Sequence, residues 1–195
     1  MQMPFDAADQ DTDEALLLAY GRGDARAARV LTLRLAPWVL AYARRLLRDA
    51  AEAEDVAQEA MLRLWRIAPD WRTGEAKVTT WLYRVVTNLC TDRLRRRRRG
   101  AALDEVPEPA DDSPGAETRL QQAARVAALD AALARLPDRQ RQAVILRHIE
   151  GLSNPEIAAI LEIGTEAVES LTARGKRALA QALAGRREEL GFDDD

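Results

Sequence analysis

One segment of the chain, residues 52–68, places four side chains suited to protein docking on a single helical face. They stand at positions i, i+3, i+4 and i+7: Asp55, Gln58, Glu59 and Leu62. Two carboxylates and an amide on a rigid helix can pair with basic groups of a partner helix, and a leucine beside them can act as an apolar anchor. The alternative is a solvated helix face with one stray leucine, which is common in proteins.

A second set of side chains is strongly basic. Seven arginines and one acid, Asp92, lie between Arg84 and Arg99, and five of these arginines are consecutive, at 95–99. Residues 100–118 then carry six acids and no base, so the formal net charge of −3 hides a basic patch between acidic segments. Because a local patch attracts phosphates where the total charge does not, this pattern predicts contact with a phosphate backbone. A solvated charge run is the alternative.

A third set lies in the second half of the chain. Ser153 and Glu156 form a capping box at the start of a short helix that we expect to end near Leu161. The turn 162–164 follows, and Thr165 is expected to cap a longer final helix. This order predicts a helix-turn-helix, which binds DNA, although an ordinary helical hairpin has the same pattern. Gly175 on the inner face of the last helix would permit a close approach.

All three sets of side chains lie on segments that have helical periodicity. Apolar stripes recur at helical spacing over 52–68 and 79–99, and no segment is a good candidate for a strand. Pro37 is expected to end or kink a helix. Residues 100–115 form an acidic linker with three prolines. We therefore predict an all-α protein with two small helical domains, 12–99 and 116–187, joined by this linker.

Composition and isolated residues exclude several classes of function. The chain has no run of about 18 apolar residues and no signal peptide, so we expect a cytoplasmic protein without membrane insertion. The single cysteine, Cys90, lies on an apolar stripe and is expected in the core. The single histidine, His148, has no zinc-ligand spacing around it. Without a phosphate loop, a metal cluster or a nucleophile beside a base, neither an enzyme nor a cofactor is expected.

Several sequence segments resemble the sigma-70 family of bacterial transcription initiation factors. DVAQEAMLRLW at 55–65 resembles region 2.2, and KVTTWLYRVVTN at 77–88 is similar to regions 2.3 and 2.4 of the extracytoplasmic-function, or group IV, members. The segments that resemble region 4 are 136–137, 150–153, 156–159 and 174–179. All occur in family order over about 12–185. The large N-terminal and middle regions of housekeeping sigma factors are missing, which is the group IV architecture.

The resemblance implies a protein that carries core RNA polymerase to particular promoters, opens them and starts transcription. It implies that the 55–62 face docks on the β′ coiled coil and that the protein also meets the β flap. In this family the linker threads toward the active cleft, although a flexible acidic tether would have the same sequence. An anti-sigma protein that covers the polymerase-binding surfaces is a further expected partner.

The resemblance also implies two sets of promoter contacts. The loop 72–77 would capture a flipped base of the −10 element, and the contacts would be Lys77, Thr80, Trp81, Arg84, Asn88 and Arg95. Trp81 either stacks on a base or packs in the core, and its place on the apolar stripe favours the core. The −35 contacts would be Ser153, Thr165, Ser170, Arg174, Lys176 and Arg177. Glu169 and Leu171 stand where the group usually has basic residues, which puts the usual −35 consensus in doubt.

The competing interpretation is an operator-binding regulator that is not a polymerase subunit. Its helix-turn-helix would bind DNA, and its N-terminal helical domain would dimerise or sense a signal. It accounts for the second domain but for neither the arginine-rich helix nor the Asp55–Leu62 face.

The two interpretations differ in one measurable property. We predict that the isolated chain binds duplex promoter DNA weakly, because its acidic segments offset the arginine patch. Adding core polymerase should confer both binding and promoter opening. Electrophoretic mobility shifts with and without polymerase test this, and tight, specific duplex binding by the chain alone would support the operator-binding regulator.

Overall fold

Helices make up all the regular structure that the computed structural model describes, which covers residues 12–74, 76–100 and 117–184. The all-α class is thus confirmed. The predicted linker beyond Gly100 and the last residues of the predicted second domain lie outside the described residues. The chain divides into two compact units, residues 1–93 and 94–195.

The first unit is built from four α-helices, the last of which continues beyond residue 93. They are α1 (Asp13–Gly21), α2 (Ala25–Leu47), α3 (Ala50–Ile67) and α4 (Val78–Gly100), with a 3-10 turn at Ala68–Asp70 after α3. Short polar side chains start the first three. Thr12 accepts a hydrogen bond from the backbone N–H of Ala15, Asp24 from that of Arg26, and Asp49 from that of Glu52. Each such cap satisfies a backbone donor that has no partner within its helix.

Pro37 lies inside α2 and does not end it, so that part of the prediction is wrong. A proline removes one backbone hydrogen bond and crowds the preceding turn. Here its ring is exposed, while Leu31 and Leu35 before it and Val39 after it are buried. The helix continues because tertiary packing on both sides of the proline outweighs the local loss.

The buried face of α4 is centred differently from the predicted stripe. The apolar stripe of 79–99 includes Trp81, Leu82, Val85, Val86 and Cys90. Of these, Leu82, Val86 and Cys90 are fully buried, but Trp81 and Val85 are only half-buried.

The centre of that face lies instead toward Tyr83 and Thr87, which are also buried. The Thr87 hydroxyl donates to the carbonyl oxygen of Tyr83 at 2.7 Å, and its oxygen lies 2.8 Å from the Tyr42 hydroxyl. Tyr42 must therefore be the donor to Thr87, which makes a buried polar chain between α2 and α4.

The second unit contains the predicted helix-turn-helix. Its helices are α5 (Glu117–Ala134), α6 (Asp138–Val144) with a π-helical continuation at Ile145–Ile149, α7 (Asn154–Leu161) and α8 (Thr165–Ala184). The Glu156 carboxylate accepts hydrogen bonds from the backbone N–H of Ser153 at 3.0 Å and from its hydroxyl at 2.7 Å. Ser153 is therefore the N-cap of α7, as predicted.

Thr165 begins α8 as its first helical residue and is not its cap. The carbonyl of Gly164 accepts the first bond of the helix, from the backbone N–H of Val168 at 3.1 Å, which is the role of the N-cap residue. The turn itself spans 162–164 as predicted. Glu162 ends α7 in the left-handed region, with φ of 55°.

Gly175 brings α8 against α6. A Cβ atom added at Gly175 would lie 2.5 Å from Cγ2 of Val144 and 3.4 Å from the carbonyl oxygen of Gln140. Real Cβ atoms do not approach other atoms at 2.5 Å, so a larger residue at this crossing would force its neighbours to shift. The predicted close approach is confirmed.

We predict that Gly175→Ala destabilises the protein by about 1–3 kcal/mol because of overpacking. In an uncrowded helix the same change would stabilise by about 1 kcal/mol. Urea unfolding followed by circular dichroism measures the difference. Val144→Ala is the matched partner variant, since it removes the methyl group that clashes. The double variant should lose less free energy of unfolding than the sum of the losses in the two single variants. A Gly175→Ala protein as stable as the wild type would contradict the close approach.

Candidate functional site

The four residues of the predicted docking face lie together on the outer side of α3. Gln58 is exposed, 67% of the Asp55 side chain and 34% of the Glu59 side chain are accessible, and Leu62 is 43% exposed. The opposite side of the helix is buried through Val56, Ala60 and Leu64, with no exposed surface. Core packing therefore fixes the direction in which the docking residues point.

Both acids of this face already have arginine neighbours. Arg63 donates a hydrogen bond to Glu59 at 2.8 Å, and Arg93 of α4 lies 3.5 Å from the Asp55 carboxylate. The hydrogen bond from Arg63 lowers the pKa of Glu59 below its usual value; burial opposes this, while the charges of Arg63, Arg66 and Arg93 add to it. Glu59 therefore carries its negative charge at neutral pH.

Leu62 is part of a larger apolar surface that the sequence did not reveal. A groove of about 350 Å³ runs between α2 and α3. Its apolar lining comprises Ala36, Leu40, Ala57, Met61, Leu62 and Trp65, and Gln58 lies at the same groove. The docking face thus combines charged groups with an apolar depression, which is the combination found at protein–protein interfaces.

A second cavity, of about 360 Å³, lies where the loop after the 3-10 turn meets α4. Its lining residues are Ile67, Asp70, Trp71, Arg72, Ala76, Trp81 and Arg84. The rings of Trp71 and Trp81 are 6.2 Å apart and nearly perpendicular, at 83°. Trp81 is half-buried, and it forms one wall of the cavity. Aromatic faces beside guanidinium groups are the usual means of binding unstacked bases.

The loop that borders this cavity is held by an acid from α1. Oε1 of Glu14 accepts hydrogen bonds from Nε1 of Trp71 at 3.2 Å and from the backbone N–H of Gly74 at 3.3 Å. Sequence reasoning missed Glu14, because it lies 57 residues before Trp71 and belongs to no recognised motif.

The remaining residues predicted for the −10 contacts lie on or beside α4. Lys77 precedes the helix, and its carbonyl accepts the backbone N–H of Trp81 at 3.0 Å. Thr80, Arg84 and Asn88 are spaced four residues apart and share one face, on which Arg84 and Asn88 are exposed. Arg95 is exposed near the end of the helix. The structure thus brings Arg84 and Trp81 together at the cavity and extends a polar face along α4.

The residues predicted for the −35 contacts are all exposed, but they do not form one face. Ser170, Arg174 and Arg177 lie opposite the buried Val168 and Gly175, at the outer side of α8. Ser153 and Thr165 begin α7 and α8.

Lys176 lies apart from the outer face of α8, because helical spacing places it to one side of Ser170, Arg174 and Arg177. Desolvation lowers the pKa of His148, and the charges of Lys176 and Arg147 add to this effect. Glu169 accepts a hydrogen bond from the amide of Asn154 at 3.2 Å, which ties the start of α7 to α8.

Two features are absent from residues 12–74, 76–100 and 117–184. None of the helices in these ranges combines the length and apolar character of a membrane span. No group of three or more metal-ligating side chains occurs in the same ranges.

Two protein-family models match this chain, one in each half. The Sigma-70 region 2 model matches residues 31–100, and the Sigma-70 region 4 model matches residues 127–179. The first match contains α3, α4 and the cavity. The second contains α7 and most of α8.

Curated relatives match along nearly the whole chain. The RNA polymerase sigma-H factor of Pseudomonas aeruginosa is 32% identical over 184 residues, covering 89% of this chain and 95% of the relative. The ECF RNA polymerase sigma factor SigM of Mycobacterium tuberculosis is 35% identical over 181 residues, covering 92% and 88%. The ECF RNA polymerase sigma-E factor of Escherichia coli is 28% identical, covering 88% and 94%.

Solved structures have the same fold. CnrH, in complex with the cytosolic domain of CnrY, matches with a TM-score of 0.66 and 25% identity, over 90% of this chain and 99% of CnrH. The sigma factor RpoE of Bartonella quintana, in complex with the anti-sigma factor NepR, matches with a TM-score of 0.62 and 22% identity, over 78% and 94%. The two family matches, in order, and the full-length relatives show that this chain belongs to the extracytoplasmic-function group of the sigma-70 family of RNA polymerase sigma factors.

Proposed function

We propose that this sigma factor binds core RNA polymerase through the outer face of α3, opens promoters at the cavity beside Trp81, and reads the −35 element with α8. The observation that carries the proposal is the exposed face with Asp55, Gln58 and Glu59, directly beside an apolar groove. We assign residues 12–99 to the region 2 domain, 100–115 to the linker and 116–187 to the region 4 domain.

Docking on the β′ coiled coil would use both parts of that surface. Asp55 and Glu59 supply negative charge for basic groups of the partner, and Gln58 supplies an amide that can donate and accept. Leu62 and the groove behind it supply apolar area, which loses contact with water when a partner helix covers it. The region 4 unit would meet the β flap, as the family assignment implies.

Promoter opening needs no hydrolysis in this scheme. A protein that binds the separated non-template strand more tightly than the duplex shifts the equilibrium toward open DNA. The cavity between Trp71 and Trp81 offers stacking surfaces for an unstacked base, and Arg84 offers a positive charge beside it. Thr80 and Asn88 continue the contact along α4.

Phosphate contacts would come from residues outside this cavity. Lys77 lies just before α4, and Arg95 belongs to the arginine run near the end of that helix. Such contacts position the DNA without reading its sequence.

The −35 element would meet the outer side of α8. Ser170, Arg174 and Arg177 are placed for the major groove, with Ser153 and Thr165 at the helix starts for backbone phosphates. Lys176 lies off that face, and so we assign it to phosphate contact. Glu169, held by Asn154, can accept a hydrogen bond from cytosine and repels phosphate, which supports a −35 sequence different from the usual one.

An anti-sigma protein is a further proposed partner. RpoE of Bartonella quintana was solved with the anti-sigma factor NepR, and CnrH with the cytosolic domain of CnrY. We infer that a partner of this kind covers the polymerase-binding surface of this chain. The chain would have no catalytic activity of its own and would act in the cytoplasm, at the nucleoid when bound to polymerase. The operator-binding alternative is not favoured, because both sigma regions match in order.

We predict that Gln58→Ala/Glu59→Ala weakens binding to core polymerase at least about tenfold, or about 1.4 kcal/mol. Titration of the labelled chain with purified bacterial core polymerase measures this. Asp92→Ala is the matched control, because it removes one exposed acid from α4 and leaves the α3 face intact. Equal binding by the double variant and wild type would contradict the docking face. No binding by folded wild type would contradict the proposed function.

A further inference from the structure

We propose that Glu14 is a positioning residue for promoter opening. Its carboxylate would hold the Trp71 indole and the Gly74 backbone so that the cavity beside Trp81 keeps the shape that receives an unstacked base. The inference rests on the proposed function of that cavity and names a residue outside the DNA-contacting segment.

A single oxygen of Glu14 accepts both hydrogen bonds. Oε1 lies 3.2 Å from Nε1 of Trp71 and 3.3 Å from the backbone nitrogen of Gly74. The two donors lie at opposite ends of a short stretch in which Arg72 and Thr73 are exposed. Gly74 has φ of 86°, a conformation that other residues rarely adopt. One carboxylate oxygen thus pins the loop at both ends of that stretch.

The helix that carries Glu14 is held by contacts that do not involve Glu14. A Cβ atom added at Gly21 would lie 2.7 Å from the carbonyl oxygen of Ala68, so the end of α1 packs directly on the 3-10 turn. Asp13 pairs with Arg34 of α2 at 2.8 Å. Substituting Glu14 therefore leaves these anchors of α1 in place and releases the loop.

Release of the loop would change the cavity. Trp71 stands nearly perpendicular to Trp81, with ring centres 6.2 Å apart, and both rings line the cavity. When Nε1 loses its acceptor, the indole of Trp71 is free to reorient, and the distance between the two walls is no longer fixed. A base would then have to order the loop as it binds, which lowers the affinity for the separated strand.

Two substitutions distinguish the effect of the hydrogen-bond acceptor at position 14 from the effect of its negative charge. Glu14→Gln keeps a side-chain oxygen that can accept both hydrogen bonds but carries no charge. Glu14→Ala removes the acceptor altogether. Asp13→Ala is the matched control, because it removes the ion pair between α1 and α2 without touching the loop.

The experiment uses holoenzyme assembled from the full chain and core polymerase. Its DNA is a promoter fragment selected by wild-type holoenzyme from a randomised library, with 2-aminopurine placed at each −10 position in turn. A fluorescence increase reports the base that leaves the stack. The affinity of each holoenzyme for the single-stranded −10 oligonucleotide and the affinity of each chain for core polymerase are measured in parallel.

We expect Glu14→Ala to weaken binding of the single-stranded oligonucleotide about tenfold, a difference of about 1.4 kcal/mol. The 2-aminopurine signal at one −10 position should fall with it. Affinity for core polymerase should stay within about twofold of wild type, a difference of less than about 0.5 kcal/mol. Glu14→Gln and Asp13→Ala should resemble wild type in every assay.

The outcomes distinguish the inference from the function on which it rests. Strand binding by Glu14→Ala equal to wild type would overturn the positioning role. Equal defects in Glu14→Gln and Glu14→Ala would also overturn it, because the charge would then matter and the acceptor would not. A defect of the same size in Asp13→Ala would show that any loosening of α1 weakens strand binding, and this result would overturn the positioning role as well. Failure of wild-type holoenzyme to open any promoter would overturn the proposed function itself.

Discussion

The first unit depends on a single constraint: α4 must be buried on one side and present polar groups on the other. Leu82, Val86 and Cys90 have no exposed surface, while Arg84 and Asn88 face outward on the same helix. Because the buried side is fixed by core packing, the outward side has only one possible direction. The same division holds for α3, whose outer face carries the proposed docking residues.

In the second unit, the equivalent constraint is the crossing of α8 over α6. The absence of a side chain at Gly175 lets the two helices meet at Val144, and the residues on the far side of α8 then face outward. Any larger residue at Gly175 would force α8, α6 or the Val144 side chain to shift. Sites built in this way on rigid helices keep their geometry better than sites on loops.

The features that sequence predicted are those encoded within one or two helical turns. The capping box at Ser153, the buried Cys90 and the close approach at Gly175 depend on local spacing, and the structure contains all three. The expectation that Pro37 could end a helix was wrong, because tertiary packing outweighed a local preference. The contact between Glu14 and its loop, like the groove between α2 and α3, depends on how separate elements pack together. No local sequence pattern predicts such packing.

The arginines beside the docking face have a consequence for the strength of any complex formed there. Glu59 is paired with Arg63, and Asp55 lies near Arg93, while both acids remain open to water. A basic partner would compete with these arginines for the two carboxylates, so docking would partly exchange one set of ion pairs for another. The charges then select the partner and its register, and they add less to the affinity than unpaired acids would, so that the apolar groove supplies much of the rest. A surface of this kind favours binding that is selective for its partner and still reversible.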